Sequence, residues 1–202
     1  MYMKVGLVPM SAKPYHAGHH AMVTMAAAEN DSVMLFVSTS DRKRKGEMPL
    51  LGSGMVRIWQ EHIEPILPSN VEVAYGGSPV QKVYAQLEDA NESLSKDTYT
   101  VYSDPTDTAV NYPHKNRLKY FPELDQAGQV LFAAEENPGQ FTRGDGTPDV
   151  SGTKMRAAVA SGDREAFRRG MPIEVDADAI FDILSGDQMS ETLLRACVRS
   201  LL

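Results

Sequence analysis

The sequence predicts an α/β fold, an open parallel sheet of about five strands with helices on both faces and a C-terminal helical cap. Short apolar runs alternate with longer helix-type segments, which is typical of parallel strands joined by crossover helices. Several of the short runs are apolar nearly throughout, as expected of strands buried on both faces. After Ala134 the alternation stops, and an irregular stretch is followed by helical patterns only.

The predicted strands are short, rich in Val, Leu, Phe and Tyr, and bounded by turn residues. They are Lys4–Met10, Ser32–Thr39, Val71–Tyr75, Thr98–Ser103 and Gln129–Ala134. Five such strands with intervening helices predict a Rossmann-like sheet.

The predicted helices have separate sequence signals. Gly18–Glu29 is rich in Ala and Met, and Met55–Leu67 places apolar residues on one face. Ser78 can cap a helix that has Pro79 at its first position. Beyond an irregular loop, helical patterns recur at Ser151–Ser161, Glu165–Arg169, Ala177–Leu184 and Glu191–Leu202. We therefore expect an α/β domain over residues 1–163 and a helical extension over residues 164–202 that packs on the same domain.

Composition excludes several classes of protein. The chain has 202 residues, of which 42% are hydrophobic, and no apolar run is long enough to cross a bilayer. Its first residues resemble a strand rather than a secretory signal, so we expect a cytoplasmic protein. A single cysteine, Cys197, excludes an internal disulfide framework. The net charge of -7 argues against broad nucleic-acid binding.

Three of the five histidines fall within ten residues, in the segment KPYHAGHHAM at residues 13–22. This segment follows the first predicted strand, at the edge where open α/β sheets bind ligands. His16 and His19 can each donate a hydrogen bond to phosphate oxygens, and Gly18 allows phosphate and backbone to approach closely. A metal site is the alternative, although imidazoles without a nearby carboxylate are a poor ligand set. For His20 we favour an ordinary surface position.

A second segment, SGTKMR at residues 151–156, opens the helix after the irregular loop. Ser151 can cap that helix, and Thr153 adds a hydroxyl. Gly152 leaves room for phosphate, and Arg156 projects a bidentate donor one turn along. The alternative is a plain N-cap followed by an exposed arginine.

Together these segments resemble the HxGH nucleotidylyltransferase superfamily. PYHAGH, at residues 14–19, resembles its P-x-H-x-G-H signature, and SGTKMR resembles its second signature, I-S-x-T-x-x-R. The likeness in layout extends to about residue 163, whereas identity at the level of motifs is confined to these two stretches and weaker echoes. It implies that His16 and His19 contact the nucleotide phosphates and stabilise the transition state. It further implies a set of nucleotide-binding residues, namely Met10, Ser11, Lys13, Gly18, Ser151, Gly152, Thr153 and Arg156.

The sequence departs from the family pattern before the first histidine. Related sequences often have G-x-F-x-P-x-H, whereas Met10 and Ala12 stand here in place of the glycine and the aromatic residue. The nucleotide-side loop is therefore expected to differ. Lys13 is an additional cation beside the expected pocket, and it either touches phosphate or points into water.

The resemblance also suggests where the second substrate binds. Family members often carry phosphate-binding lysines after the second strand, so Lys43 and Lys45 in the run DRKRKGE are candidates, although such runs are usually solvated loops. The segment MPLLGSGMVRIWQ resembles the P-[FL]-x-x-x-x-R segment of several adenylyltransferases, which makes Arg57 another candidate. Asp104 either binds a ribose hydroxyl or starts a turn, and Arg143 is a candidate contact to phosphate.

The resemblance implies an enzyme that transfers AMP from ATP to a phosphorylated small molecule, with nicotinamide mononucleotide, giving NAD, as the preferred acceptor. Mg²⁺ would arrive on the phosphates, with no metal site on the protein. A CTP-dependent cytidylyltransferase acting on a phosphorylated alcohol or sugar is the first alternative, and a non-catalytic nucleotide-binding protein is the second. A class I aminoacyl-tRNA synthetase is disfavoured because the chain is short and has no KMSKS-like stretch. The acceptor does not follow from the sequence, and the superfamily's range of oligomers allows a homo-oligomer.

Overall fold

The computed structural model describes residues 2–141 and 148–186 of the chain, and these residues fall into two units. The first unit comprises the described parts of Met1–Ser11, Gly18–Ser38 and Leu67–Asp149, and the second those of Ala12–Ala17, Thr39–Ile66 and Val150–Leu202. The expected domain boundary at residue 163 falls inside the second unit and stays a prediction. The predicted helix at Glu191–Leu202 lies outside the described residues.

A five-stranded, all-parallel sheet forms the centre of the first unit. Its strands are β1 Lys4–Met10, β2 Ser32–Val37, β3 Val71–Tyr75, β4 Thr98–Val101 and β5 Val130–Phe132. The strand order is β3-β2-β1-β4-β5, and each neighbouring pair is parallel. This confirms the predicted Rossmann-like α/β fold. Because the direction of winding reverses between β1 and β4, the carboxyl ends of those two strands are where such a sheet binds ligands.

The described helices follow the strands in chain order. They are α1 Ala17–Glu29, α2 Gly52–Ile58, α3 Pro79–Glu92, α4 Pro105–Asn111, α5 His114–Tyr120, α6 Pro122–Gln126, α7 Ala133–Glu136, α8 Gly152–Ser161 and α9 Arg164–Arg169. Residues 177–186 are also helical. The helix predicted at Met55–Leu67 is a continuous helical stretch of three geometries, since α2 is followed by a π-helical turn at Trp59–Ile63 and a 3₁₀ turn at Glu64–Ile66.

The sheet core explains why the strands are apolar on both sides. Leu7 and Val8 are neighbours in β1, so their side chains point to opposite faces of the sheet, and both are fully buried. Val83 and Leu87, one turn apart on α3, join the core cluster that contains Leu7. The N-terminus of α3 forms as predicted, because the Ser78 hydroxyl accepts from the Gln81 N–H.

The carboxyl end of β5 differs from the prediction. We expected a strand through Ala134, but β5 ends at Phe132 and α7 begins at the next residue. The segment Ala133–Glu136 reads AAEE, and alanine and glutamate are strong helix formers. The loop expected at Glu135–Asp149 is also partly helical, with a 3₁₀ turn at Pro138–Phe141.

The helices of the second unit pack through aromatic and charged side chains. The Phe167 ring of α9 meets the Phe181 ring edge-on, with 5.4 Å between centroids, and the Arg164 guanidinium stacks over Phe181 at 4.5 Å. Arg168 Nη2 donates to both carboxylate oxygens of Asp178. Within the described ranges, no helix is both long enough and apolar enough to cross a membrane.

Leu94 offers a stability test of the chain reversal after α3. Its φ is +51°, a left-handed conformation that costs a residue with a β-carbon about 1 kcal/mol, yet its side chain is 64% exposed. Leu94→Gly is expected to raise the free energy of unfolding by about 1 kcal/mol and Tm by roughly 2–4 °C. Thermal denaturation checks this against Leu94→Ala, which keeps the β-carbon. An equal gain in both variants would contradict the backbone explanation.

Candidate functional site

Residues 14–17 of the first signature belong to the second unit, and residues 12–16 are buried. His16 is 4% exposed, and the Tyr15 ring packs edge-on against Trp59 with 4.9 Å between centroids. Ala12 has a φ of +43°, a conformation that residues with a β-carbon rarely adopt. The backbone of this loop is therefore held in a special conformation just before the first histidine.

Lys13 does not point into water. Its side chain is buried, and its ammonium group donates to the Ser40 hydroxyl at 3.0 Å and to the Ser40 carbonyl. The solvent-facing alternative for this residue is wrong because Ser40, which follows β2, supplies acceptors that the sequence did not identify. Burial, with the neighbouring Arg42 charge, lowers the pKa of Lys13, and Asp41 offsets this only in part.

The second signature opens α8 as predicted. The Ser151 hydroxyl accepts from the Lys154 N–H at 3.2 Å, which confirms the predicted N-cap. Arg156 is only 5% exposed, so the alternative of an exposed arginine is wrong. Its Nη2 donates to the Thr153 hydroxyl one turn earlier at 2.9 Å, so these two signature residues form one polar group.

The second signature contacts Lys13, the residue immediately before the first signature, inside the second unit. Arg156 Nη1 donates to the Lys13 carbonyl at 2.7 Å, across 143 positions of sequence and three positions before His16. Gly152 lies against the same point. A β-carbon there would stand 3.0 Å from Arg156 Nη1 and 3.2 Å from the Lys13 carbonyl oxygen. The glycine is therefore explained by close approach of α8 to the first signature segment.

Glu47 links Arg156 to a further arginine. Its Oε2 lies 2.9 Å from Arg156 Nη2, and it accepts from Arg42 Nη2 at 2.9 Å and from Arg42 Nε at 3.2 Å. The hydrogen bond from Arg42 lowers the pKa of Glu47 most, and the nearby Arg156 charge adds to the effect. Glu47 is therefore held as a carboxylate between two guanidinium groups.

Positive charge is in excess around Arg156. Burial lowers its pKa first and repulsion from Arg42 second, and together these outweigh the attraction of Glu47. The same two causes lower the pKa of Lys13. Lys13 and Arg156 are thus two buried cations with lowered pKa values, and perturbed groups of this kind cluster at functional sites.

Three of the predicted acceptor contacts, Lys43, Lys45 and Arg57, lie at exposed positions. Lys43 lies 3.1 Å from the Asp41 carboxylate. Arg57 has a side chain that is 61% exposed and pairs with Glu61 one turn along the helical stretch. Arg143 lies outside the described residues. The roles of these four residues stay predictions.

Five other predicted residues belong to the first unit. Met10 ends β1, where its carbonyl accepts from the Ser38 N–H, and Ser11 follows it in an exposed position. Gly18 and His19 lie in the first turn of α1. Asp104 caps α4 by accepting from the Asp107 N–H at 2.9 Å, so it begins a helix, while ribose binding stays a prediction.

Arg42 and Glu47 are the charged residues that the sequence did not identify. Both belong to the basic run DRKRKGE, from which the lysines were chosen instead. An antiparallel bridge fixes this loop, because Arg42 and Leu50 exchange both backbone hydrogen bonds, at 2.8 and 3.0 Å. The buried Met48 and Leu50 that follow the run were the available signal that its end folds inward.

The Asp41 carboxylate contacts the Gly52 backbone and Lys43. Asp41 accepts from the Gly52 N–H at 2.9 Å, and this bond, followed by the contact with Lys43, lowers its pKa. In residues 2–141 and 148–186, no three His, Cys, Asp or Glu side chains are grouped so that they could hold a metal ion. The expectation that Mg²⁺ is carried by substrate phosphates stays a prediction.

No family model matches the chain, and no curated protein matches it.

Gly152 tests the junction between the two signatures. Gly152→Ala is expected to lower the free energy of unfolding by about 1–3 kcal/mol, because the added β-carbon would stand 3.0 Å from Arg156 Nη1 and 3.2 Å from the Lys13 carbonyl oxygen, and the hydrogen bond between those two atoms leaves neither free to shift. Chemical denaturation measures the change. Gly139→Ala is the matched control, since no heavy atom lies within 4 Å of a β-carbon built there. Equal effects of the two substitutions would argue against a tight junction.

Lys13 predicts a dependence of stability on alkaline pH. Because its pKa is lowered from the ordinary value of 10.5, the folded protein releases this proton at lower pH than the unfolded chain does. The unfolded state therefore binds more protons in that window, and stability rises as pH increases toward 10.5. The free energy of unfolding of the wild type minus that of Lys13→Met should increase from neutral to alkaline pH. A difference that stays flat would contradict the buried-ammonium assignment.

Proposed function

We propose that the protein is a nucleotidylyltransferase that transfers AMP from ATP to a phosphorylated small molecule and releases pyrophosphate. One observation carries the proposal. The arginine of the second signature, Arg156, donates to the carbonyl of Lys13, the residue immediately before the first signature, and both are buried. This contact between two segments that are distant in sequence supports their assignment to one site.

The charge of the second unit supports a polyphosphate ligand. The Lys13 ammonium and the Arg42 and Arg156 guanidinium groups lie close enough for repulsion from Arg42 to lower the pKa values of the other two. Glu47 bridges the two guanidinium groups through a single oxygen. A triphosphate brings several negative charges and many acceptor oxygens, so it would relieve repulsion that one carboxylate leaves in place.

The proposed reaction is an in-line displacement at phosphorus. An oxygen of the acceptor's phosphate, which is already deprotonated, forms a bond to the α-phosphorus of ATP. The bond from that phosphorus to the oxygen leading to the β-phosphate breaks, and pyrophosphate leaves with the electron pair. No covalent enzyme intermediate and no general base are needed. Mg²⁺ bound to the phosphates would neutralise part of their charge.

The protein's contribution is placement and electrostatic stabilisation. His16 and His19 are proposed to donate to oxygens whose charge grows in the transition state, while Thr153 and Arg156 hold the β- and γ-phosphates with Ser151. Burial of His16 favours this role, because a fixed donor with little solvent around it interacts more strongly than an exposed one.

The acceptor we propose first is nicotinamide mononucleotide, which gives NAD. The SGTKMR form of the second signature is closer to adenylyltransferases than to cytidylyltransferases, whose motif typically reads R-T-x-G-I-S-T. Nicotinate mononucleotide and phosphopantetheine are further acceptors of the adenylyl branch. Transfer of CMP from CTP to a small phosphorylated alcohol or sugar is the alternative reaction.

A pyrophosphate-release assay tests the proposal directly. ATP and CTP are each paired with nicotinamide mononucleotide, nicotinate mononucleotide, phosphopantetheine and glycerol 3-phosphate, with Mg²⁺ present. We expect release with ATP and a mononucleotide acceptor. Release with CTP alone would favour the cytidylyl alternative, and nucleotide binding with no release from any pair would favour a non-catalytic protein.

His19→Ala supplies the catalytic check on the active pair. Loss of a fixed donor to the transition state is expected to lower kcat by roughly a hundredfold to a thousandfold. His20→Ala is the matched control, because it removes the adjacent imidazole of α1, for which no catalytic role is proposed. Comparable losses in both variants would mean that α1 was disturbed and that His19 has no specific role.

A further inference from the structure

Two guanidinium groups of the second unit converge on one carboxylate oxygen. Glu47 Oε2 accepts hydrogen bonds from Arg42 Nη2 at 2.9 Å and from Arg42 Nε at 3.2 Å. The same oxygen lies 2.9 Å from Arg156 Nη2. A phosphoryl oxygen accepts charge-assisted hydrogen bonds from arginine in the same geometry. The position of Glu47 Oε2 is therefore suited to any anionic oxygen, whether it belongs to the protein or to a substrate.

Of the three charged side chains, Glu47 is the most exposed to solvent, ahead of Arg42 at 20% and Arg156 at 6%. The backbone of Arg42 is bridged in both directions to Leu50, and Arg156 is 5% exposed on α8. The Glu47 side chain is 28% exposed and follows Gly46, which is exposed and has a φ of +81°. If an anion enters, the carboxylate is the partner that can turn outward while the guanidinium groups stay in place.

Arg156 also retains a donor for an incoming ligand. Its Nε is buried and has no hydrogen-bond partner in the part of the chain that the structure describes. A buried donor without an acceptor is destabilising, so a ligand oxygen within its reach would gain from satisfying it. A carboxylate presents two oxygens, whereas a polyphosphate presents several, and can occupy this donor and the Glu47 position together.

We propose that Arg42 and Arg156 form a phosphoryl-binding pair and that Glu47 competes with the substrate's polyphosphate for it. Arg42 is then an additional phosphate-binding residue, and Glu47 sets how much negative charge a ligand needs to enter. A monoanion gains little by replacing a carboxylate, whereas a polyphosphate gains charge and hydrogen bonds. That the natural ligand is a nucleoside triphosphate rests on the proposed function, but the anion site does not.

Binding of inorganic tripolyphosphate to the full chain, measured by calorimetry, tests the competition. Glu47→Gln keeps the shape of the side chain and removes its charge, so Kd is expected to fall by about threefold. Arg42→Gln removes hydrogen bonds to a charged group, so Kd is expected to rise about tenfold. Both changes should shrink at high ionic strength, because salt screens partly exposed charges.

Matched controls separate the site from general electrostatics. Glu61→Gln removes the same charge from a carboxylate that pairs with Arg57, and Arg44→Gln removes a cation from the same basic run as Arg42. Each control should change Kd less than its partner variant does. Circular dichroism verifies folding, and Arg42→Lys, which keeps the charge but loses the planar fork, replaces Arg42→Gln if that variant does not fold.

Several outcomes would overturn the inference. These are no binding of tripolyphosphate to the wild type, Glu47→Gln binding no more tightly than Glu61→Gln, and an Arg42 variant that weakens binding no more than Arg44→Gln. Failure of the proposed function is distinguishable, since it appears as absence of pyrophosphate release in every nucleotide pair. If the Kd values shift as expected without any release, the anion site stands and the transferase assignment falls.

Discussion

The hydrogen bond from Arg156 to the Lys13 carbonyl is the interaction on which the proposed site depends. A guanidinium that is 5% exposed must find acceptors, since a buried charge without partners is costly. Its acceptors are a backbone carbonyl, a threonine hydroxyl and one carboxylate. Because the carbonyl belongs to the loop that carries His16, satisfying the arginine also fixes the position of that loop against α8.

Local sequence patterns were sufficient to predict most of the sheet, but they did not predict the short helices between β4 and β5. The runs that form β1 and β3 were predicted to the residue, because continuous apolar strands are distinctive when both faces are buried. The short helices α4, α5 and α6, of five to seven residues, have no comparable signal. Helices of that length are stabilised by tertiary packing rather than by propensity, so their residues alone do not specify them.

In the candidate site, too, local contacts could be predicted from the sequence and long-range contacts could not. Ser151 could be assigned to its cap because the capping pattern is complete within a few residues. Lys13 could not, since its acceptors come from Ser40, which is 27 positions away. Arg42 was overlooked because a run of four cations gives no indication of which one turns inward. Backbone pairing with Leu50 and burial of Met48 determine which cation turns inward, and both are properties of the folded loop.

Trp59 is the chain's only tryptophan, and its fully buried indole lies edge-on to Tyr15, the residue immediately before His16. Its emission therefore comes from a single, well-defined place, with no other indole contributing background. A ligand that displaces the Tyr15 ring on binding would change this emission, so its binding could be followed by intrinsic fluorescence without a label or a coupled enzyme. The same side chain that fills the interior thus gives the unmodified protein an optical signal for rapid-mixing experiments.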